Sequence, residues 1–166
     1  MSIAQSMLPE FDHEMAGTRK MLERLPNDKL EFKPDPKSMS MGRLAGHTAE
    51  MPGWGAMVLT TDELDLKPGA FESLTATSQQ QVLAAFDKLV QESRAALASA
   101  SDDSLMKTWT LKVNGNPVMS MPRVAMIRSM VMNHTIHHRA QLGVYYRMNG
   151  VPIPGLYGPS ADEQTF

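Results

Sequence analysis

The sequence contains no cysteine among its 166 residues. This excludes disulfide bonds, thiolate metal ligands and a cysteine nucleophile, and it leaves histidine, aspartate and glutamate as the strong metal ligands. Any thiol chemistry at this protein therefore has to use a sulfur atom that the substrate brings.

An excess of charge of one sign is also missing, because 16 Lys and Arg residues stand against 18 Asp and Glu residues. The two signs are interspersed and form no basic stripe that neutralises phosphates, so we expect no nucleic-acid partner. Apolar runs stay below the roughly 18 residues that a membrane-spanning helix needs. The start, MSIAQSMLPEFDHEM, lacks the basic and apolar regions of a secretory signal. We therefore expect a cytoplasmic protein without a membrane partner.

Four segments show the apolar periodicity of amphipathic helices, which predicts a single all-α domain over residues 1–166. Ser40 precedes the second segment and can cap its first turn. Pro52 removes a backbone donor within that segment, so we expect a kink or a break there. The four segments cover approximately residues 2–25, 41–60, 75–100 and 122–149.

A short β-hairpin is predicted before the last helix. Residues 107–120, KTWTLKVNGNPVMS, place β-branched and aromatic residues around Asn114-Gly115, a pair that tolerates the positive φ angles of a tight turn. Residues 61–73 are polar and are predicted as a loop. The tail after Asn149 contains three prolines and is expected to be ordered only by packing on the helices.

The last helix carries three of the chain's five histidines in one five-residue stretch. Because each helical residue advances about 100°, His134 and His138 fall in the middle of the apolar face around Ile127. His137 lies near the edge of that face, and Arg139 falls on the solvent side. The periodicity therefore selects His134 and His138 as the histidines that face the core.

A third core-facing histidine is predicted on the second helix. His47 lies on that helix's apolar face, whereas His13 lies away from the apolar stripe of the first helix and is predicted to be a surface residue. The residues in line with His47 are Leu44, Met51, Trp54 and Val58.

Buried neutral imidazoles need polar partners, and one divalent cation can satisfy three of them together. The spacing of His134 and His138, one helical turn apart, is the spacing that two ligands of one ion need. The same spacing also occurs in histidines that only form hydrogen bonds within a core. The residues by themselves leave both interpretations open.

Three segments of the chain carry a family resemblance: FKPDPKSMSMGRLAGHTAEMPGW, NHTIHHRAQLGVY and NGVPIPGLYGPSAD. Together they resemble the DinB family, the damage-inducible-protein-like four-helix bundles, over most of the chain. The resemblance implies an up-down-down-up four-helix bundle with a short β-hairpin before the last helix. It also implies a divalent metal ion held by one histidine of the second helix and two of the fourth, which are His47, His134 and His138 here.

Three protein ligands leave at least one coordination position open, as in catalytic metal sites. Nickel, zinc, iron or manganese suits an all-histidine set of ligands. We therefore expect a metal-dependent enzyme with a small-molecule substrate, either a hydrolase or, as the resemblance implies, a transferase to a low-molecular-weight thiol. The alternative is a non-catalytic metal-binding or stress-response binding module. Whether two copies form a homodimer is left open.

Glu14, Glu50 and Gln141 are the candidate catalytic or ligand-orienting residues. Glu14 lies inside the apolar stripe of the first helix, and Glu50 and Gln141 lie about one turn after His47 and His138. For each of them the alternative is an ordinary solvated side chain on the surface of the bundle.

Overall fold

The computed structural model describes residues 1–69 and 72–164. The helices are α1 (Ile3–Leu22), α2 (Met41–Glu50), α3 (Gly53–Thr60), α4 (Gln79–Ser99), α5 (Asp102–Met106), α6 (Arg123–Met126) and α7 (His134–Met148). The strands are β1 (Glu63–Leu66), β2 (Thr108–Val113) and β3 (Asn116–Pro122). A short 3-10 helix (Asn27–Lys29) and a π-helical segment (Ile127–Asn133) complete the elements.

The second predicted helix is divided, as expected. Ser40 caps α2, because its hydroxyl accepts a hydrogen bond from the backbone N–H of Arg43 at 3.2 Å. The break follows at Pro52, and α3 starts at Gly53. The buried Ser93 of α4 stabilises the break, since its hydroxyl donates to the Pro52 carbonyl and accepts from the N–H of Ala56. The break therefore leaves these two backbone groups paired.

The prediction of an all-α four-helix bundle is wrong, because the protein contains a three-stranded mixed sheet in the order β1-β2-β3. Strand β1 pairs in parallel with β2, from Glu63 opposite Thr110 to Leu66 opposite Val113. It lies within residues 61–73, where a loop was predicted, and residues 70 and 71 of that loop are outside the described part of the chain. A four-residue strand whose partner lies more than forty residues later leaves no local pattern to detect.

The hairpin prediction is confirmed. Strands β2 and β3 are antiparallel and are joined through Asn114 and Gly115, whose φ angles are 51° and 78°. These are the positive φ angles that a two-residue hairpin turn requires. The hairpin extends to Pro122, directly before the last helical region.

The last helical region is not one regular helix. The π-helical segment Ile127–Asn133 separates α6 from α7, so that His134 begins α7. Turns of this kind, with hydrogen bonds from residue i to i+5, are rare and are frequent at functional sites. They wind the chain by a smaller angle per residue, and the orientation of α7 therefore differs from that of a continuous α-helix.

The long helices share one apolar core that also receives the sheet. Helix α7 packs against α1 and α2, and α4 packs against α1, α2 and α3. The largest side chain of the core is Trp109 of β2, whose indole N–H donates to the hydroxyl of Thr61 at 3.0 Å. Within the described residues, none of the helices has the length and apolarity needed to cross a membrane.

Candidate metal centre

His47 of α2 and His134 and His138 of α7 meet at the contact between the two helices. One potential ligand atom from each histidine lies within 4.8 Å of those of the other two. The ring centroids are 4.5 to 5.3 Å apart. The structure therefore brings together the three histidines that the periodicity selected, and their role as metal ligands stays a prediction.

Two of the three histidines of α7, His134 and His138, face each other through ring nitrogens. The Nε2 atoms of His134 and His138 are 2.8 Å apart, and Nδ1 of His138 lies 2.8 Å from Oε1 of Gln141. Since that amide oxygen only accepts hydrogen bonds, the proton of a neutral His138 belongs on Nδ1, and its Nε2 has a lone pair that accepts the Nε2–H of His134 or binds an ion. Gln141 thus orients a ring nitrogen toward the centre of the cluster, as hydrogen-bond partners of metal-binding histidines do.

The spacing of these nitrogens fits an ion. Two nitrogens that each lie about 2.1 Å from one ion are about 3.0 Å apart at a right angle and about 3.4 Å apart at the tetrahedral angle. The Nε2 atoms of His134 and His138, at 2.8 Å, need only a small separation to reach the first of these geometries. Three imidazoles are also a donor set that divalent transition metals accept. The residues present therefore fit a divalent metal ion.

The carboxylate of Glu50 lies beside Nδ1 of His47. Oε2 of Glu50 lies 3.6 Å from Nδ1 of His47 and 3.3 Å from Nη1 of Arg43, and the carboxylate also accepts the backbone N–H of Leu74. Burial by itself raises the pKa of Glu50, but the nearby ring of His47, the hydrogen bond from the backbone N–H of Leu74 and the charge of Arg43 together lower that pKa. A carboxylate that stays ionised beside Nδ1 of His47 leaves the Nε2 of this residue for the ion.

The surroundings of His134 and His138 favour their neutral forms. Burial, followed by the neighbouring His47 and His137, lowers the pKa of His134. Burial is also the largest cause for His138, whose pKa is lowered to about 4 although its hydrogen bond with Gln141 acts in the opposite direction. Neutral imidazole is the form that binds metal ions, so both residues can act as ligands at neutral pH.

Other candidate residues lie outside the histidine cluster. His137 is exposed, and its ring only packs edge-on against His138 at 4.9 Å between centroids. His13 is exposed, as predicted. The carboxylate of Glu14 accepts hydrogen bonds from Arg139 at 2.8 Å and from Tyr157 at 2.7 Å, so the structure does not bring it to the cluster.

The prediction that Arg139 faces solvent is wrong, because only 2% of this residue is exposed. Helix α7 contacts α1 as well as α2, so it has two buried faces and not the single one that was assumed. The π-helical segment before α7 also changes its rotation. The position of Glu14 inside an apolar stripe was the one sequence signal for a buried cation, and nothing in the sequence pointed to Arg139 as its partner.

Comparison with known proteins agrees with the fold. The model of the DinB family matches residues 1–165. The uncharacterized protein YrdA of Bacillus subtilis is 26% identical over 160 residues, which cover 94% of this chain and 89% of that protein. The crystal structure of a DinB-like protein from Bacillus cereus has a TM-score of 0.70 and 25% identity, and the match covers 94% of this chain and 98% of that one.

A second solved structure, of the DinB-like protein YjoA from Bacillus subtilis, matches in fold. Its TM-score is 0.68 at 18% identity, over 97% of this chain and 99% of that chain. The family model, which covers nearly the whole sequence, decides the assignment. This chain belongs to the DinB family.

Proposed function

We propose that the protein binds one divalent metal ion through His47, His134 and His138 and uses it as an enzyme, either as a hydrolase or as a transferase to a low-molecular-weight thiol. The observation that carries this proposal is the convergence of the three imidazoles within 4.8 Å, supported by Gln141 and Glu50. The contact between the Nε2 atoms of His134 and His138 also fits an N–H···N hydrogen bond, so it is the addition of His47 as a third imidazole that favours an ion.

The chemistry follows from the donor set. A divalent ion with three histidine ligands would have room for a water molecule or a thiol, and it would lower the pKa of that water or thiol toward neutrality. Gln141 holds the ring of His138, and Glu50 holds the ring of His47. Because Glu50 lies beside Nδ1 of His47, on the far side of that ring from an ion at Nε2, we assign it the role of holding the ligand and not that of accepting a proton from the nucleophile.

A thiol has to enter as a second substrate, because the chain has no cysteine. Nickel, zinc, iron and manganese all remain candidates for the ion, since imidazole binds each of them. The hydrolase and the transferase differ only in whether water or the thiol supplies the attacking atom.

The test is a metal analysis of untagged protein, followed by a panel of ester, amide and electrophilic substrates with and without low-molecular-weight thiols. We expect about one divalent ion per chain, and turnover that is lost in His138→Ala and kept in the matched variant His137→Ala. Protein without a stoichiometric ion would contradict the proposal. Retained metal without turnover of any substrate would favour a non-catalytic metal-binding module.

A further inference from the structure

A cavity of about 380 Å³ shares a wall with the histidine cluster. His47 and its partner Glu50 both line this cavity, which continues along α2 and α3. The volume lies within the roughly 300–1,000 Å³ of small-molecule sites. His47 is therefore the histidine that the cluster and the cavity share, and His134 and His138 are not among the residues that line the cavity.

The walls of the cavity are largely apolar. Side chains of α3, β1 and α4 that are only partly covered by the core form most of them, and the buried Met51, between α2 and α3, completes them. The main apolar lining residues are Met51, Trp54, Met57, Leu66 and Leu89. An aromatic and several flexible apolar side chains of this kind favour a substrate group that buries carbon atoms.

Arg43 is the cationic residue in the described lining of the cavity, and its charge is already paired with that of Glu50. Nη1 of Arg43 lies 3.3 Å from Oε2 of Glu50 and donates to the carbonyl of Leu74 at 3.0 Å. Glu72 adds a further negative charge to the wall. An anionic substrate group would meet no free positive charge there, so the cavity selects against anions.

From the shared wall, the apolar lining and the compensated charge, we propose that the substrate of the metal centre carries an uncharged apolar group, which binds in the cavity beside Trp54 and Met57. This inference rests on the proposed function, because it assumes a metal ion at the histidines. It adds the substrate class, a small neutral electrophile or ester with an apolar tail.

A second cavity, of about 460 Å³, provides a contrast. It lies between α7 and the segment after it, where Val144, Leu156 and Tyr157 are among its lining residues, and none of the three clustered histidines lines it. An apolar compound bound there would be independent of the metal ion. The experiment therefore has to distinguish the two cavities.

Hydroxamates can distinguish the two cavities. The hydroxamate group binds to a metal ion that has a free coordination position, and the tail attached to it can be varied. The zinc-loaded protein is titrated calorimetrically with acetohydroxamic acid, with 4-phenylbutanohydroxamic acid and with a hydroxamate of similar length that ends in a carboxylate. We expect the phenyl compound to bind about tenfold more tightly than acetohydroxamic acid, or better, and the carboxylate compound to gain nothing.

Met57→Glu places a charge in the cavity, and Met106→Glu makes the same change at an exposed residue of α5. In Met57→Glu the gain from the phenyl tail should fall below about threefold, while the affinity for acetohydroxamic acid stays unchanged. Met106→Glu should keep both affinities. If Met57→Glu does not fold, Met57→Gln takes its place, and the comparison of tails in the unaltered protein stands by itself.

The outcomes separate the two proposals. Failure of all three hydroxamates to bind would overturn the proposed function, and the inference with it. Binding of acetohydroxamic acid without any gain from the phenyl tail would leave the metal centre intact and overturn the inference alone. If the phenyl tail still increases the affinity in Met57→Glu, the tail binds elsewhere, for example in the cavity at Tyr157. That result would also overturn the inference.

Discussion

Nη2 of Arg139 lies 2.8 Å from Oε2 of Glu14, and only 3% and 8% of the two side chains are exposed. Arg139 also donates to the carbonyl of Glu14 at 3.0 Å and to the hydroxyl of Thr18 at 3.2 Å. The hydroxyl of Tyr157 donates to the same carboxylate. The ion pair therefore connects α7 to α1 and to the segment after α7, and the hydrogen bonds compensate much of the cost of burying its charges.

Arg139→Met tests how much this ion pair contributes to the stability of the fold. The variant keeps the side-chain volume but leaves the carboxylate of Glu14 buried without its cation, which should lower the free energy of unfolding by about 3–5 kcal/mol. Urea unfolding measures the loss. In the control Arg94→Met, which removes a pair with Asp12 at the surface, stability should hardly change. Equal losses in the two variants would show that the buried pair contributes no more than the exposed one.

The metal content of alanine variants should distinguish the three proposed ligands from His137. We expect His47→Ala, His134→Ala and His138→Ala to lose most of the bound ion, because each removes one of three ligands. His137→Ala should retain it, since this residue is exposed and lies outside the cluster. Elemental analysis of the purified variants gives the answer. Equal loss in His137→Ala and His138→Ala would mean that the ligands have been assigned to the wrong face of α7.

Chelation should lower the melting temperature of the unaltered protein. A ligand that binds only the folded state stabilises it by about 2.7 kcal/mol when its concentration is 100 times its dissociation constant. Scanning calorimetry with EDTA and with added divalent metal measures the difference. His138→Ala is the control, because its melting temperature should not respond to the chelator. An unaltered protein that is equally insensitive would support a polar core network of histidines.

The metal-free protein should lose stability on acidification. The pKa of His138 falls from 6.5 to about 4 on folding, and that of His134 is lowered too, so the unfolded chain binds protons that the folded chain does not. These histidines cost the folded state nothing above about pH 6.5, where both states hold them neutral, and the penalty for charging them grows as the pH falls toward about 4. Urea unfolding in EDTA at several pH values measures this slope.

The variant His138→Gln isolates this contribution, because other groups titrate in the same direction. The lowered pKa values of Glu50 and Asp162 also make the protein less stable in acid. The variant should therefore keep a smaller slope between about pH 6.5 and 4. A slope identical to that of the unaltered protein would count against the shift at His138.

Two helical glycines should respond in opposite ways to alanine. A Cβ atom at Gly46 would overlap the backbone carbonyl of Leu74, the residue whose N–H bonds to Glu50. Gly46→Ala should therefore cost about 1–3 kcal/mol, despite the better helix propensity of alanine. At Gly143 a Cβ atom would only meet the flexible end of Met21 at 3.2 Å. Gly143→Ala should be neutral or stabilising in urea unfolding, and the reverse order would contradict the packing described at Leu74.

Local patterns were enough for several elements. Ser40, Pro52 and Asn114-Gly115 act through their own backbone preferences, so the cap, the break and the hairpin turn could all be predicted from neighbouring residues. Helical periodicity also selected His47, His134 and His138 as core-facing, whereas their meeting at one site was implied by the resemblance to the DinB family. The histidine cluster is thus the part of the candidate site that the sequence indicates most directly.

The amino-acid sequence by itself determined the helical periodicity, the hairpin turn and the choice of three histidines, because these depend on residues within a few turns of one another. Only the tertiary structure decided the parallel pairing of β1 with β2, the π-helical segment before His134 and the burial of Arg139 against Glu14. Each of these depends on the packing of distant segments, where a strand or a charged side chain is stabilised by a partner that no local pattern reveals.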